Sequence, residues 1–381
     1  MQRSFDFIII GGGMAGASAA YGLAPYGRAL ILEAEDRLAY HTTGRSAAFY
    51  SQVYGGPKVQ PLTTASKAFF LAPPADLAPA PLMTPRGCLY VAWEDGAAAL
   101  QALARDFAAI GPRLRPVDAD TVLAQVPVLR RQGLLGGLAD PECSDMDVHA
   151  IHQTFLRGLR RHGGAVVTAA PAKALARQGR VWRVATPHGD FTAPILVNAA
   201  GAWGDEVAKL AGIAPLGLVP RRRTIVTFTP QPATIDPAWP LTLDADESFY
   251  FKPESGRILA SPADETAMPP CDAQPEELDV ALTVDRIERA THWRIPRIDA
   301  KWAGLRSFVA DRLPVYGFAP QAEGFFWCVG QGGWGIQTAP AAAMLIAALI
   351  TGEAPASALA QAGVEPRLYA PERLMPHKPM S

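Results

Sequence analysis

The chain has 381 residues, 49% hydrophobic and 19% charged, with a formal net charge of −1. That length is too great for one ordinary core and implies two or three domains, while the charge balance excludes a nucleic-acid binder that works by neutralising phosphates. The four cysteines, Cys88, Cys143, Cys271 and Cys328, are far apart; with no CxxC pair they exclude zinc-finger and thioredoxin-like spacing and a secreted disulfide framework, and point to a reducing compartment.

The opening run Phe5-Asp-Phe-Ile-Ile-Ile10 reads as a short buried strand that breaks on Gly11-Gly-Gly13. An export signal would continue as apolar helix, and no apolar stretch reaches the roughly 18–20 residues of a spanning helix. Gly11, Gly13 and Gly16 fit GxGxxG directly after the strand. In that motif the first glycine permits a tight turn, the second lets backbone approach a pyrophosphate, and the third lets the helix pack on the strand. Small residues Ala17 to Ala20 continue the helix, whose N-terminus offers free N–H groups to phosphate. A second strand, Ala29 to Leu32, ends in Glu33, where this unit places a carboxylate on the ribose hydroxyls. An acid there disfavours a 2′-phosphate, so NADP is not expected, and NAD and FAD stay open. The Gly44-Arg45-Ser46 turn in the next stretch offers backbone donors and a charge to a diphosphate, as an extended dinucleotide requires.

Further along, Cys88 to Trp93 reads as a strand. Cys143-Ser-Asp-Met-Asp-Val-His-Ala-Ile-His152 carries metal-binding residue types, but Asp147 is a good N-cap for a helix to Arg161 and the spacing fits no metal site. His149 and His152 are then expected on one helix face. Ala165 to Thr168, Val181 to Thr186 and Phe191 to Asn198 read as strands, the last running into Ala199-Ala200-Gly201. Arg223 to Phe228 alternates as a strand, so Arg221 and Arg223 point one way and Arg222 the other. Ser248 to Lys252 and Ile258 to Ser261 form a hairpin across Glu254-Ser-Gly256, with Tyr250 facing away from Phe249 and Phe251. Phe325 to Val329 is another apolar strand. Gly330-Gln-Gly-Gly-Trp-Gly335 follows it, then a helix from about Thr338 with Pro340 in its first turn, a second strand–glycine-loop–helix unit.

The fold class expected is α/β: a Rossmann-like dinucleotide domain built from discontinuous segments (1–48, 141–215 and 303–381). Between these lies a substrate domain with a mainly antiparallel β-sheet (49–140 and 216–302).

Five stretches together resemble the family of FAD-dependent amine and D-amino-acid oxidoreductases, and within it the D-amino-acid dehydrogenases similar to D-arginine dehydrogenase. They are Gly11–Gly16 with Glu33, Tyr40–Ala48, Val197–Trp203, Trp302–Phe308 and Gly330–Thr338. The resemblance implies FAD, bound non-covalently although His41 stands where some relatives attach flavin. The residues it implies for the cofactor are Gly11, Gly13, Met14, Ala15, Gly16, Glu33, Thr43, Gly44, Arg45, Ser46, Ala47 and Val167. From later stretches it adds Ala199, Ala200, Gly201, Gly304, Gly333, Gly335, Ile336, Gln337 and Thr338.

The resemblance also implies a catalytic set. Arg306, on an extended segment with Gly304 and Phe308, is the leading carboxylate clamp, for which a bidentate guanidinium is suited. Arg223, Tyr250 and the lid-loop Tyr54 complete the set. A substrate pocket of Phe49, Cys88, Gly333 and Trp334 is expected. Cys88 stands where D-arginine dehydrogenase has a glutamate, and Phe49 where it has a histidine. Both changes penalise a cationic side chain and favour a neutral, apolar or aromatic D-amino acid. The reaction implied is oxidative deamination to an imino acid, then a 2-oxo acid and ammonia. Two rivals are an oxidase of N-methyl or secondary amino acids and a flavoenzyme that oxidises 2-hydroxy acids. The expected partners are the small-molecule substrate and an acceptor, a quinone or O2, with no nucleic acid, no metal and no membrane span. A cytoplasmic location follows, peripheral to the inner membrane if the acceptor is a quinone.

Overall fold

The structure is a computed structural model that describes residues 3–108 and 114–375. The remaining residues of the expected domain ranges lie outside it. Phe7–Ile10 is buried along its whole length and lies between two parallel neighbours, Ala29–Leu32 and Ile195–Asn198. A strand paired on both edges and covered on both faces meets no water, which is why it is continuously apolar. The six-stranded sheet runs Val315–Phe318, Phe325–Val329, Ile195–Asn198, Phe7–Ile10, Ala29–Leu32, Ala165–Val167, all parallel except the first.

Ile9, Ile31, Val197 and Phe326 pack under helices Met14–Leu23, Val148–Arg161 and Ala339–Thr351. The alternate residues Ile8, Leu30 and Leu196 pack on a three-stranded antiparallel sheet formed by Ala174–Gln178, Val181–Thr186 and Gly189–Ala193. The glycine and alanines of the first helix matter for its approach to the last long one: a Cβ on Gly22 would lie 2.4 Å from the Ala343 carbonyl oxygen. Asp147 caps its helix by accepting from the Ala150 N–H at 2.8 Å. The strand expected over Phe191 to Asn198 is two strands in different sheets. Pro194, which has no N–H for a ladder, stands between them.

The second large sheet has eight strands in the order Ala300–Phe308, Val219–Phe228, Arg257–Ser261, Tyr250–Glu254, Leu241–Asp244, Cys88–Trp93, Leu134–Asp140, Arg115–Asp118. All its pairs are antiparallel except Leu241–Asp244 with Cys88–Trp93. The architecture is thus the mixed α/β class expected, with two details different. The boundary at 303 falls inside a strand paired with Val219–Phe228 from Val219↔Phe308 to Thr227↔Ala300, so those residues belong to the antiparallel sheet. Helix Gln60–Leu71, expected with that sheet, buries Leu62, Ala65 and Phe70 in the same apolar cluster as the first helix.

Candidate active site

A cleft of about 450 Å³ runs from the carboxyl ends of the parallel strands, at Ile10 and Leu32, to the inner face of the eight-stranded sheet, at Arg223 and Tyr250. At the first end the backbone is drawn tight. Gly11 has φ +104°, which disfavours any other residue, and its N–H donates to the Leu32 carbonyl at 2.8 Å. A Cβ on Gly16 would lie 1.8 Å from the Gly11 oxygen, so this glycine packs helix on strand and does not line the cleft. The N-cap Gly13 brings no side chain to the helix that starts at Met14, and Thr43 Oγ1 accepts the Met14 N–H at 2.9 Å. Glu33 accepts the N–H groups of Gly12 at 2.7 Å and Glu35 at 3.0 Å, which aims its carboxylate at the cleft wall. These features fit FAD: an open helix N-terminus over bare glycine backbone for the pyrophosphate, and an acid at the second strand's end for the ribose.

His152, expected to share a helix face with His149, is buried beneath this loop, whereas His149 is exposed. Burial holds the His152 ring below its ordinary pKa, and the neutral ring's Nε2–H donates to the Gly12 carbonyl at 3.0 Å. Nothing in the sequence marked this contact, which joins residues 140 apart. His41, which lines the cleft, places Nε2 2.9 Å from Glu35 Oε1, with its ring centroid 4.7 Å from that of Trp203.

Arg45 lines the cleft, but its charge is already paired with Asp272. Its Nη1 donates to the Ala273 and Ala303 carbonyls at 2.8 and 3.1 Å, and its own carbonyl accepts from Trp302 Nε1 at 3.0 Å. Arg45 therefore ties the cofactor segment to the antiparallel sheet.

Of the other expected cofactor residues, Gly13, Ala15, Ser46, Ala47, Ala199, Ala200, Gly201 and Gly304 line the cleft, as do Gly333, Gly335, Ile336 and Gln337. Gly44, Val167 and Thr338 support the wall from behind. The Gly44 N–H donates to Ala39, the Val167 carbonyl accepts from Glu33, and Thr338 Oγ1 donates to the Trp334 carbonyl, each at 2.9 Å. Pro171 is a wall residue outside the five stretches, and Ser307 and Gln331 are wall residues inside two of them that were given no role.

At the far end the cleft meets Arg306, Arg223, Tyr250, Tyr54, Phe49 and Gly333. Strand alternation does the placing: Arg223 and Arg306 are buried and face the cleft, whereas Arg222 points to the opposite face and pairs with Asp279 at 2.7 Å and with Glu276. Arg306 donates to the Tyr54 hydroxyl and to Glu265 Oε1, both at 2.5 Å. The Phe49 ring lies 5.1 Å from Tyr54 and 6.5 Å from Tyr250, and the Arg223 guanidinium lies 6.0 Å from the Tyr250 ring. Gly333 leaves room for this group, because a Cβ there would meet Tyr54 Oη at 2.4 Å and Arg306 Nη1 at 2.6 Å.

Two expected pocket residues lie elsewhere. Cys88 is buried beside Cys143 in a cluster with Val53, Tyr90 and Leu138, and does not line the cleft. Burial raises its thiol well above the ordinary value, with Cys143 adding to the effect. Trp334 packs behind Tyr54 and against Phe308, at 5.8 and 5.5 Å between ring centroids. Among the described residues no group of three or more His, Cys, Asp or Glu is placed to hold a metal, and no helix is long and apolar enough to cross a membrane.

The family model for FAD dependent oxidoreductases matches residues 6–349. The chain belongs to that family. Its cofactor is FAD, and the cleft's glycine loop, helix N-terminus and Glu33 fit that group. This FAD dependent oxidoreductase is 28% identical to mouse dimethylglycine dehydrogenase over 148 residues, 38% of the chain and 17% of that protein, so it spans under a fifth of that relative's length. Glycine oxidase from Geobacillus kaustophilus shares the fold, with a TM-score of 0.81 at 20% identity over 93% of this chain and 96% of that one. L-proline dehydrogenase from P. horikoshii does so with a TM-score of 0.78 at 17% identity over 98% of each chain.

Proposed function

We propose that this flavoenzyme oxidises D-amino acids with neutral, apolar or aromatic side chains. The observation that carries the reading is the charge pattern at the far end of the cleft. Two buried arginines face it, and the carboxylates lining it, Glu33, Glu35 and Glu206, all come from the dinucleotide side. An α-carboxylate meets a guanidinium pair there, whereas among the described residues a cationic side chain meets no acid of the cleft wall from the antiparallel sheet. This replaces the argument from Cys88, which lies outside the cleft, and keeps the one from Phe49.

FAD, when bound, supplies the acceptor for a hydride leaving the substrate's α-carbon. Arg306 and Arg223 hold the carboxylate, Tyr250 and Tyr54 present hydroxyls beside it, and the rings of Phe49, Tyr54 and Tyr250 shed water from the side chain. The amine gives up its proton to solvent as the C=N bond forms. The released imino acid is hydrolysed to a 2-oxo acid and ammonia. The D configuration rests on the match of Arg306, Tyr250, Arg223 and Tyr54 to D-amino-acid dehydrogenases.

A second reading, oxidation of an N-alkylated or cyclic amino acid, is favoured by relatives named for dimethylglycine and L-proline. Anaerobic bleaching of the flavin by a panel of D-, L- and N-methyl amino acids, L-proline and 2-hydroxy acids separates the two. Bleaching by D-Phe, D-Met and D-Leu ahead of the rest is expected. Faster bleaching by D-Lys or D-Arg overturns the side-chain argument, and bleaching only by N-methyl amino acids or L-proline transfers the function to the second reading.

A further inference from the structure

The Arg306 guanidinium is held by one residue that lines the cleft and by one that does not. Tyr54 takes Nη1 and Glu265 takes Nη2, while Nε is buried without a partner. Glu265 is not part of the cleft wall. From the protein's outer side the exposed Arg312 closes on both of its oxygens, with Nη1–Oε2 at 3.0 Å and Nη2–Oε1 at 2.9 Å. Burial alone would raise the Glu265 carboxyl, but hydrogen bonding to Arg312 and the charges of Arg306, Arg312 and Arg223 hold it below the usual carboxylate range.

Arg312 also lies over the Phe308 ring at 4.0 Å, and Arg306 lies 5.7 Å from the same ring. The backbone is in the left-handed region on both sides of this pair, at Arg312 with φ +61° and at Ala263, two residues before Glu265, with φ +54°. Residues with a Cβ disfavour that conformation, and it persists where the surroundings over-determine it.

We infer that Glu265 is a positioning residue, which Arg312 clamps from outside so that it fixes the Arg306 guanidinium for an incoming carboxylate. The inference rests on the reading of Arg306 as the carboxylate clamp. It has a sign that distinguishes it from a simple charge effect. Removing a negative charge beside two cleft arginines strengthens anion binding through the field, whereas removing a contact that orients a guanidinium weakens it.

The test titrates benzoate into the FAD-loaded protein and reads its dissociation constant from the flavin absorbance. Glu265→Leu is expected to weaken benzoate by about tenfold, against the Coulomb sign. Arg312→Leu should weaken it similarly, and the double variant no further than Glu265→Leu alone, because Arg312 acts through Glu265. Glu265→Gln, which keeps shape and one oxygen, should fall between and carries the test if the leucine variant loses FAD. With substrate, KM should rise with the benzoate constant while kcat changes less. Arg306→Met separates the two levels. If it binds benzoate as the unaltered chain does, the clamp reading fails. If it loses benzoate while the Glu265 variants bind as tightly as the unaltered chain or more so, the clamp stands and the positioning role is overturned.

Discussion

Gly333→Ala probes the geometry of the clamp without touching a charge. The added methyl would sit 2.4 Å from Tyr54 Oη and 2.6 Å from Arg306 Nη1, where ordinary contact begins at 3.4 Å. Both are far ends of flexible side chains, so each retreats by about 1 Å and the fold survives. They cannot retreat independently, because the two atoms are bonded to each other at 2.5 Å. A carboxylate placed for the original positions then loses about one charge-assisted hydrogen bond, worth roughly 1.5–3 kcal/mol. That corresponds to about tenfold to 150-fold in the benzoate dissociation constant. Titration followed by flavin absorbance, with the thermal midpoint as control for folding, gives the answer. A benzoate constant within twofold of the unaltered chain, at an unchanged midpoint, refutes the assignment of Tyr54 and Arg306 to carboxylate binding.

Gly16→Ala is expected to act on the fold itself: its methyl meets the backbone carbonyl oxygen of Gly11 at 1.8 Å, an atom that cannot swing away as a side-chain end can. Overpacking of this kind costs about 1–3 kcal/mol or more, and a lower thermal midpoint with a lower ratio of flavin to protein absorbance would register it. Acid precipitation should leave the yellow colour in the supernatant; a yellow pellet would make His41, which lines the cleft, the first residue to examine for a covalent bond. Burial raises the carboxyl of Asp140 above its ordinary range, with donors from Ser51 and the Glu142 backbone offsetting only part. Its folded pKa exceeds the unfolded one, so the group lowers stability at neutral pH and the loss is relieved as pH falls through the folded value. Asp140→Asn should therefore be at least as stable at pH 8 and flatten the stability profile above the ordinary carboxylate range, whereas a loss beyond about 2 kcal/mol at pH 8 would show that the carboxylate itself is required.

Phe7–Ile10, Ala29–Leu32, Cys88–Trp93 and Phe325–Val329 were legible because each is an apolar run bounded by turn residues. Leu134–Asp140 was not. Its Gly136-Gly137 reads as a turn but serves close strand approach, since Cβ atoms there would lie 2.3 Å from the Val117 oxygen and 2.4 Å from the Tyr90 oxygen. Arg306 and Arg223 could be placed from strand alternation and resemblance, because a period of two settles which face a side chain takes. Cys88 shows the limit of that rule: it names a face and is silent on what lies between the residue and the cleft. Glu265 was invisible, since it meets Arg306 across 41 residues from a loop without a motif.

Gln337 lines the FAD cleft, accepts the Ser51 N–H and donates to the Tyr54 carbonyl, both at 3.0 Å. One amide thus spans the cofactor wall and the segment that carries Tyr54. Whatever free energy the cofactor contributes to ordering that segment, a bound carboxylate must return in equal measure to cofactor retention, because coupling between two ligands is reciprocal. Benzoate in the dialysis buffer is then expected to slow the loss of flavin relative to buffer alone.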